Sequence, residues 1–355
     1  MESIKKNFLF FLKNCKSLKK TKFHKKLDKK HSRLNLKTKN LINEDLDNFL
    51  KNFRDSDLHD DLGCPPQITI KHIKIKGLFT ALKDYLIRLS SKLYTGNYSE
   101  SFFYDMDLIY KLGGKKLAEK NPVHLTPMCK TFFFKGKTSF NLRWIRYLYF
   151  STRILKKKLL KSNSTWIDIG SYYGGLQSIL KKEVPNCKII LVDFDYQLCK
   201  SYLFLKEIFP KTDHILPDQL TIKKINNISN GDIVYLPVEK FNLINLKKID
   251  LITNFFSFGE MTKENFYGYY KKIQKDRPNH IYMSNRFISS PWFEKTYDTS
   301  INILNYLSNK FNLIYFDILP LHINLQSNIK VNGKIKKRAP SSNYFEIIMK
   351  KNEKK

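Results

Sequence analysis

Arginine, alanine and acidic residues are scarce in this chain. Nine arginines stand among 64 basic residues, against 32 acids, and the formal net charge is +32. Clustered Lys and Arg neutralise phosphates, so such a charge invites a nucleic-acid reading. Richness in Lys, Asn and Ile with little Arg or Ala is also what an AT-rich genome encodes, and much of the charge then reads as solvated surface. Paired cysteines are missing too. Cys15, Cys64, Cys129, Cys187 and Cys199 lie scattered with no CxxC pair, which excludes a zinc ribbon and points to a reduced compartment. No apolar run approaches the roughly 20 residues of a membrane span. The segment Asn7–Leu12 is too short for a secretory core, and lysines rather than a small-residue cleavage site follow it. The expected location is cytoplasmic.

The 355 residues exceed the usual single domain, and 42% hydrophobic content with 14% aromatics can bury a sizeable core. Residues 1–40 carry 14 Lys/Arg against Glu2 and Asp28. They read as a basic, flexible arm, dense enough to hold an anionic surface by charge alone; an anionic inner membrane face is one such surface. Residues 41–160 read as a mainly helical cap, with apolar helical patterns over 41–62, 77–94 and 139–161 and an irregular aromatic-rich stretch over 95–138. Residues 161–355 read as a separate α/β domain.

The most informative stretch is Thr165–Asp195. A short apolar strand (Trp166, Ile167, Ile169) ends in the turn Gly170-Ser171-Tyr172-Tyr173-Gly174-Gly175. A helix follows, then a buried strand over 188–192 that ends in Asp193. In an open α/β sheet, glycines in such a turn let a nucleoside ligand approach the backbone. An acid about 20 positions on accepts from ribose hydroxyls. Gly174 and Asp193 are 19 positions apart. A dinucleotide turn reads GxGxxG, but the position two after Gly170 is Tyr172, which obstructs a pyrophosphate. Asp168, inside the strand end, repels phosphate and attracts a cation.

Downstream, strand and helix patterns alternate, which implies a mainly parallel sheet. Seven strands are expected, over 166–169, 188–192, 232–236, 250–255, 280–283, 312–316 and 344–349. The C-terminal end of the fourth faces the ligand crevice. It reads Asn254-Phe255-Phe256-Ser257-Phe258-Gly259-Glu260-Met261, without the prolines of the (N/D)PP(Y/F) turn of enzymes that methylate base amines or glutamine amides. Glu260 could take a proton from a substrate hydroxyl or cap the helix that begins near Thr262. Glu239, after the third strand, is a weaker candidate for the adenine side.

D-I-G-x-x-x-G followed by V-D-x-D resembles the S-adenosylmethionine site of class I methyltransferases, whose strand count is also the one expected here. The resemblance implies a Rossmann-like α/β fold with a seven-stranded, mostly parallel sheet. It assigns Asp168, Gly170, Ser171 and Gly174 to the methionine-side loop, Asp193 to the ribose and Glu239 to the adenine side. The chain departs from it at Tyr172, where many members have glycine. SFGEM, the helix TKENFYGYYKKI, NRF, the late strand N-Y-F-E-I, Thr138 and the Leu142-Arg143 helix resemble the sugar O-methyltransferases of polysaccharide-biosynthesis clusters, over residues 95–350. That resemblance implies methylation of a sugar or glycan hydroxyl, with Glu260 as catalytic base or substrate-orienting group. Some sugar methyltransferases hold magnesium between paired carboxylates; no such pair can be placed here, so a divalent metal is not supported. An RNA methyltransferase and a non-catalytic basic-armed scaffold are the alternatives, with nucleic acid the less favoured partner.

Overall fold

The computed structural model describes residues 96–123, 132–135, 138–140, 142–290, 299–322, 328–331, 334–337 and 343–353, with Phe11, Leu78, Phe79 and Leu82. The rest of the basic arm and the expected 41–62 helix lie outside the described residues. Leu78, Phe79 and Leu82, from the expected 77–94 helix, are helical and exposed. The chain divides into two compact units. The first holds the described residues up to Arg153 other than Phe11, together with 321–337; the second holds Phe11, 154–320 and 343–353.

In the first unit, helix α1 (Gly96–Lys111) and helix α2 (Lys115–Lys120) precede a hairpin of β1 (Phe132–Phe134) and β2 (Thr138–Phe140) and helix α3 (Leu142–Lys156), whose last three residues count with the second unit. Among its described residues, the stretch expected to be irregular is therefore largely helical and is followed by a hairpin. Met106 and Ile109 recur at helical spacing and are fully buried, so the aromatics around them belong to a helix and not to a loop. The Gly113-Gly114 pair is the turn between α1 and α2: Gly113 has φ +90, and a Cβ on Gly114 would collide with Thr152 Oγ1. Thr138 Oγ1 bonds to Tyr110 OH, and Trp144 Nε1 donates to Asn121 O at 2.9 Å.

The second unit is an eight-stranded sheet, one more than expected. Its strands are β3 (Thr165–Ile169), β4 (Lys188–Asp193), β5 (His214–Ile215), β6 (Ile233–Pro237), β7 (Leu251–Phe255), β8 (His280–Arg286), β9 (Phe311–Ile318) and β12 (Tyr344–Lys351), in the order β5-β6-β4-β3-β7-β8-β12-β9. The additional strand, β5, is a two-residue edge strand, too short to leave a period in the sequence. The pairs from β5 to β8 are parallel, and β12 runs antiparallel to both β8 and β9. Helices α4 (Gly175–Glu183), α5 (Asp195–Ile208), α6 (Ile222–Asn226) and α7 (Lys263–Asp276) lie in the connections. β4 and β6 are nearly continuous apolar runs because parallel strands covered by helices on both faces have no wet side. Ile190, Val192, Val234, Leu236, Ile252, Ile281 and Ile347 form the centre of one core. A small hairpin of β10 (Asn328–Val331) and β11 (Lys334–Lys337) belongs to the first unit.

Phe11 is fully buried. Its ring stacks on Tyr202 of α5 at 5.9 Å and meets Tyr235 of β6 edge-on at 6.3 Å. Tyr235 OH in turn bonds His214 Nδ1 at 2.8 Å.

Candidate functional site

Sheet order locates the site. From β3 the chain builds outward through β4 to β6, then crosses back to place β7 on the other side of β3. The order thus reverses between β3 and β7, and ligands of open α/β sheets bind at such a switch, outside the strands' carboxyl ends. The loop after β3 and the loop after β7 both open there. They are in close register: a Cβ on Gly170 would stand 2.5 Å from Ser257 Cβ. With φ +82 as well, this position admits only glycine. Gly174 is also left-handed, but its missing side chain makes room for Leu205 of α5, 2.9 Å from where a Cβ would stand. Its requirement is helix packing.

Tyr172 adopts φ +54, a conformation natural to the glycine that many methyltransferases carry and costing a bulky residue about 1–2 kcal/mol. Two hydrogen bonds hold it: its N–H donates to Asp193 Oδ2 at 2.7 Å, and its carbonyl accepts from Ser201 Oγ at 2.5 Å. The Tyr172 ring lies 5.1 Å from that of Tyr173. The loop thus keeps a glycine-type backbone under a tyrosine side chain.

Asp193 ends β4, buried, with Oδ1 accepting from Phe194 N at 2.7 Å. Burial raises its pKa to about 7 against the pull of these backbone donors. Asp168 is buried in β3 and accepts from Thr253 Oγ1 at 2.5 Å and from Gln177 Nε2. Trp166 Nε1 donates to the same Thr253 hydroxyl at 2.7 Å. Burial again dominates and raises Asp168 to about 7. Both acids therefore sit in a desolvated environment that a cation or hydroxyl donors would relieve.

Two buried atoms here have no hydrogen-bond partner: Ser171 Oγ and Gln177 Oε1. A buried polar group left unpaired costs about 1–3 kcal/mol, so the loop is built with spare polar capacity. The sequence reading included Ser171 and missed Gln177, which looks like an ordinary residue of α4's first turn. Glu239 lies in a 3-10 turn, Val238–Leu243, directly after β6. Tyr269 of α7 packs on Phe241 at 5.3 Å and Phe258 at 5.9 Å. Burial first, then the charges of Asp193 and Glu239, push its phenol well above the ordinary range. Asp193, Glu239 and Tyr269 thus share one electrostatic neighbourhood, and Tyr269 had no signal in the sequence beyond its place in an amphipathic helix.

The β7 loop is fastened from beneath. Asn254 is fully buried; its Nδ2 donates to Ile169 O at 2.8 Å, and its Oδ1 accepts from Phe258 N and Asn285 Nδ2, both at 3.0 Å. Asn285 Oδ1 accepts from Gly259 N at 2.9 Å. Asn254 is therefore a fastening for the loop. Glu260 is partly exposed in a 3-10 turn, Phe258–Glu260. It is not the side chain that caps α7: Thr262 is the N-cap, its Oγ1 accepting from Asn265 N at 3.4 Å. His214 falls outside the site, pairing with Ile233 at the start of β6. Among the described residues no group of three or more His, Cys, Asp or Glu could hold a metal ion, and no helix is long and apolar enough to cross a membrane.

No protein-family model matches the chain, and no curated protein does. Among solved structures, similarity is found to magnesium protoporphyrin IX methyltransferase (ChlM) from Synechocystis PCC 6803 with bound SAM. Its TM-score is 0.38 at 9% identity, covering 59% of this chain and 80% of that one. The N-methyltransferase NodS from Bradyrhizobium japonicum WM9 gives TM-score 0.37 at 10% identity, over 60% and 98%. The small RNA methyltransferase HEN1 gives 0.35 at 16% identity, over 62% of this chain and 26% of that one. At these scores the likenesses carry no weight of their own, and the sheet order and the loop geometry bear the reading.

Proposed function

We propose that the chain is an S-adenosylmethionine-dependent methyltransferase that methylates a sugar hydroxyl in a surface glycan or its nucleotide- or lipid-linked precursor. The observation that carries this reading is the loop at the switch point. Ser171 Oγ and Gln177 Oε1 are buried there without partners, between two desolvated carboxylates. A ligand with an ammonium, a carboxylate and ribose hydroxyls matches that set: Gln177 Oε1 and Asp168 face a cation, Ser171 donates to an acid, and Asp193 accepts from ribose. Bound, the cofactor supplies an electrophilic methyl on a sulfonium. The protein's part is then alignment, since holding the acceptor oxygen in line is worth much of the rate. In this proposal Glu260, in the 3-10 turn after β7, orients the acceptor hydroxyl or takes its proton. The same proposal has the basic arm bring the chain to an anionic inner membrane face when the acceptor is lipid-linked.

Isothermal titration with S-adenosylmethionine and with NAD tests the cofactor; NAD binding without S-adenosylmethionine binding would refute it. Labelled-methyl transfer to soluble sugar acceptors and to total RNA separates the acceptor classes, because the lysine block of residues 1–40 favours RNA as the second reading. Glu260→Gln should keep cofactor affinity and lose turnover. Full turnover in that variant removes Glu260 from the chemistry.

A further inference from the structure

Next to the β7 loop, at the carboxyl end of β8, stands a cationic side chain that the proposed chemistry does not use. Arg286 is half-buried. Its Nε donates to Tyr344 OH at 3.3 Å, and its guanidinium carbon lies 5.8 Å from the centre of the Tyr344 ring. Phe256 meets the same ring edge-on at 4.9 Å. Phe256 holds a left-handed backbone, φ +71, with its N–H donating to Ser284 O at 2.7 Å. Strain of this kind concentrates where a side chain must be aimed. Gly259 lets the loop close over the arginine: a Cβ there would stand 3.0 Å from Arg286 N. Ser290 N donates to Gly259 O at 2.8 Å and fixes that approach. Among the described residues, no acid pairs with Arg286 and its two terminal nitrogens have no partner. The cluster is one residue from Ser257, which abuts Gly170 of the candidate cofactor loop.

A half-buried guanidinium pinned by Nε, backed by an aromatic face and lacking a carboxylate, leaves its planar fork for a bidentate anion. Resting on the methyl-transfer reading, we propose that Arg286, presented by Tyr344 and Phe256, binds an anionic group on the acceptor. The acceptor is then an acidic sugar, carrying either a ring carboxylate or a phosphate.

Ligand-observed NMR on the full chain, with S-adenosylhomocysteine present, would compare glucuronate, glucose 1-phosphate and glucose. Glucuronate or glucose 1-phosphate should bind more tightly than glucose, and whichever does identifies the anion. Arg286→Gln should weaken that ligand at least about tenfold, the scale of a lost charge-assisted pair. Arg286→Lys, which keeps the charge without the fork, should also weaken it, and it serves should Arg286→Gln melt early. Tyr344→Phe should give a smaller loss. Equal binding of all three ligands, or unchanged anion affinity in both arginine variants, overturns the proposal. Either result alongside intact S-adenosylhomocysteine binding leaves the methyl-transfer reading standing, whereas absence of that binding in the wild type removes both.

Discussion

At the amino ends of the parallel strands, polar groups find partners close by. Asp250, just before β7, accepts from Thr165 N at 2.9 Å and Asn279 Nδ2 at 3.0 Å. Lys181, buried in α4, donates to Pro185 O at 2.7 Å and Gly231 O at 2.6 Å. Arg277 on that side is left-handed as the C-cap of α7, where such a conformation ends helices routinely, and Asn163 is left-handed in the turn before β3; Arg277 Nε is a buried atom without a partner there. The carboxyl ends are built otherwise. Asp168 and Asp193 are held near pH 7 by desolvation, Ser171 and Gln177 keep unspent polar atoms, and Tyr172 and Phe256 carry left-handed backbones outside any helix end. One end of the sheet spends most of its polar capacity on the fold. The other withholds it at a cost to stability, which is where ligand chemistry is to be sought.

Making the same substitution at both ends tests this contrast most severely. Gly170→Ala should destabilise the chain by about 3 kcal/mol, combining positive-φ strain with overpacking against Ser257. Gly231→Ala, with φ +89 but its nearest contact at 3.4 Å, should cost about 1 kcal/mol. Urea denaturation of the two variants reads the difference, and equal losses would erase the distinction in packing.

Aspartates at the two ends should differ in the opposite sense when ligand binding is read. Asp193→Ala should lower S-adenosylhomocysteine affinity by about tenfold to a hundredfold, the loss of a buried polar contact worth about 1–3 kcal/mol. Asp250→Ala should lower the melting temperature and leave that affinity within about twofold.

Protonation gives a third, smaller test. Folded Asp168 and Asp193 release their protons near pH 7, against an ordinary 3.8. Between about pH 4 and 7 the folded state therefore holds protons that the unfolded state has lost, so their contribution to stability falls as pH rises through that window. His214 acts the other way. Burial lowers it to about 4, so its contribution grows from about pH 4 to 6.5 and is fully present above that. The two trends offset each other in a melting curve, but not in ligand affinity. S-adenosylhomocysteine binding should tighten by up to about tenfold per group from pH 6 to 8, and Asp193→Asn should flatten the profile.

The mildest expected effect is that of Tyr172→Gly. It relieves the left-handed strain but forfeits the ring contact with Tyr173. Stability should therefore move by less than about 1 kcal/mol, measured by the same denaturation series.

The strands of the second unit were legible because each is an apolar run bounded by breakers. The reading over 188–192 differs from β4 by the single residue Asp193, and that over 280–283 ends three residues short of β8. β5 left no trace, as two residues define no period. The reading over 232–236 started one residue early: Asp232 precedes β6, and its side chain accepts from Ser229 N at 2.9 Å. In the first unit, 96–111 and 115–120 are helical where an irregular aromatic-rich stretch was expected, and Met106 and Ile109 mark the buried helical face.

The linear order of residues thus determined the α/β class, the parallel sheet, the Gly170 loop and the strand ends that bear Asp168 and Asp193, because periodicity and turn chemistry are local properties. Which polar atoms are spent and which are left over was decided only in three dimensions. Asn254 is consumed by Ile169, Phe258 and Asn285; Gly174 makes room for Leu205; Gln177 of α4 bonds Asp168, Tyr269 of α7 feels the charges of Asp193 and Glu239, and Arg286 of β8 meets Tyr344. A side chain's role depends on the donors and acceptors it meets after folding, and those partners lie tens of residues away along the chain.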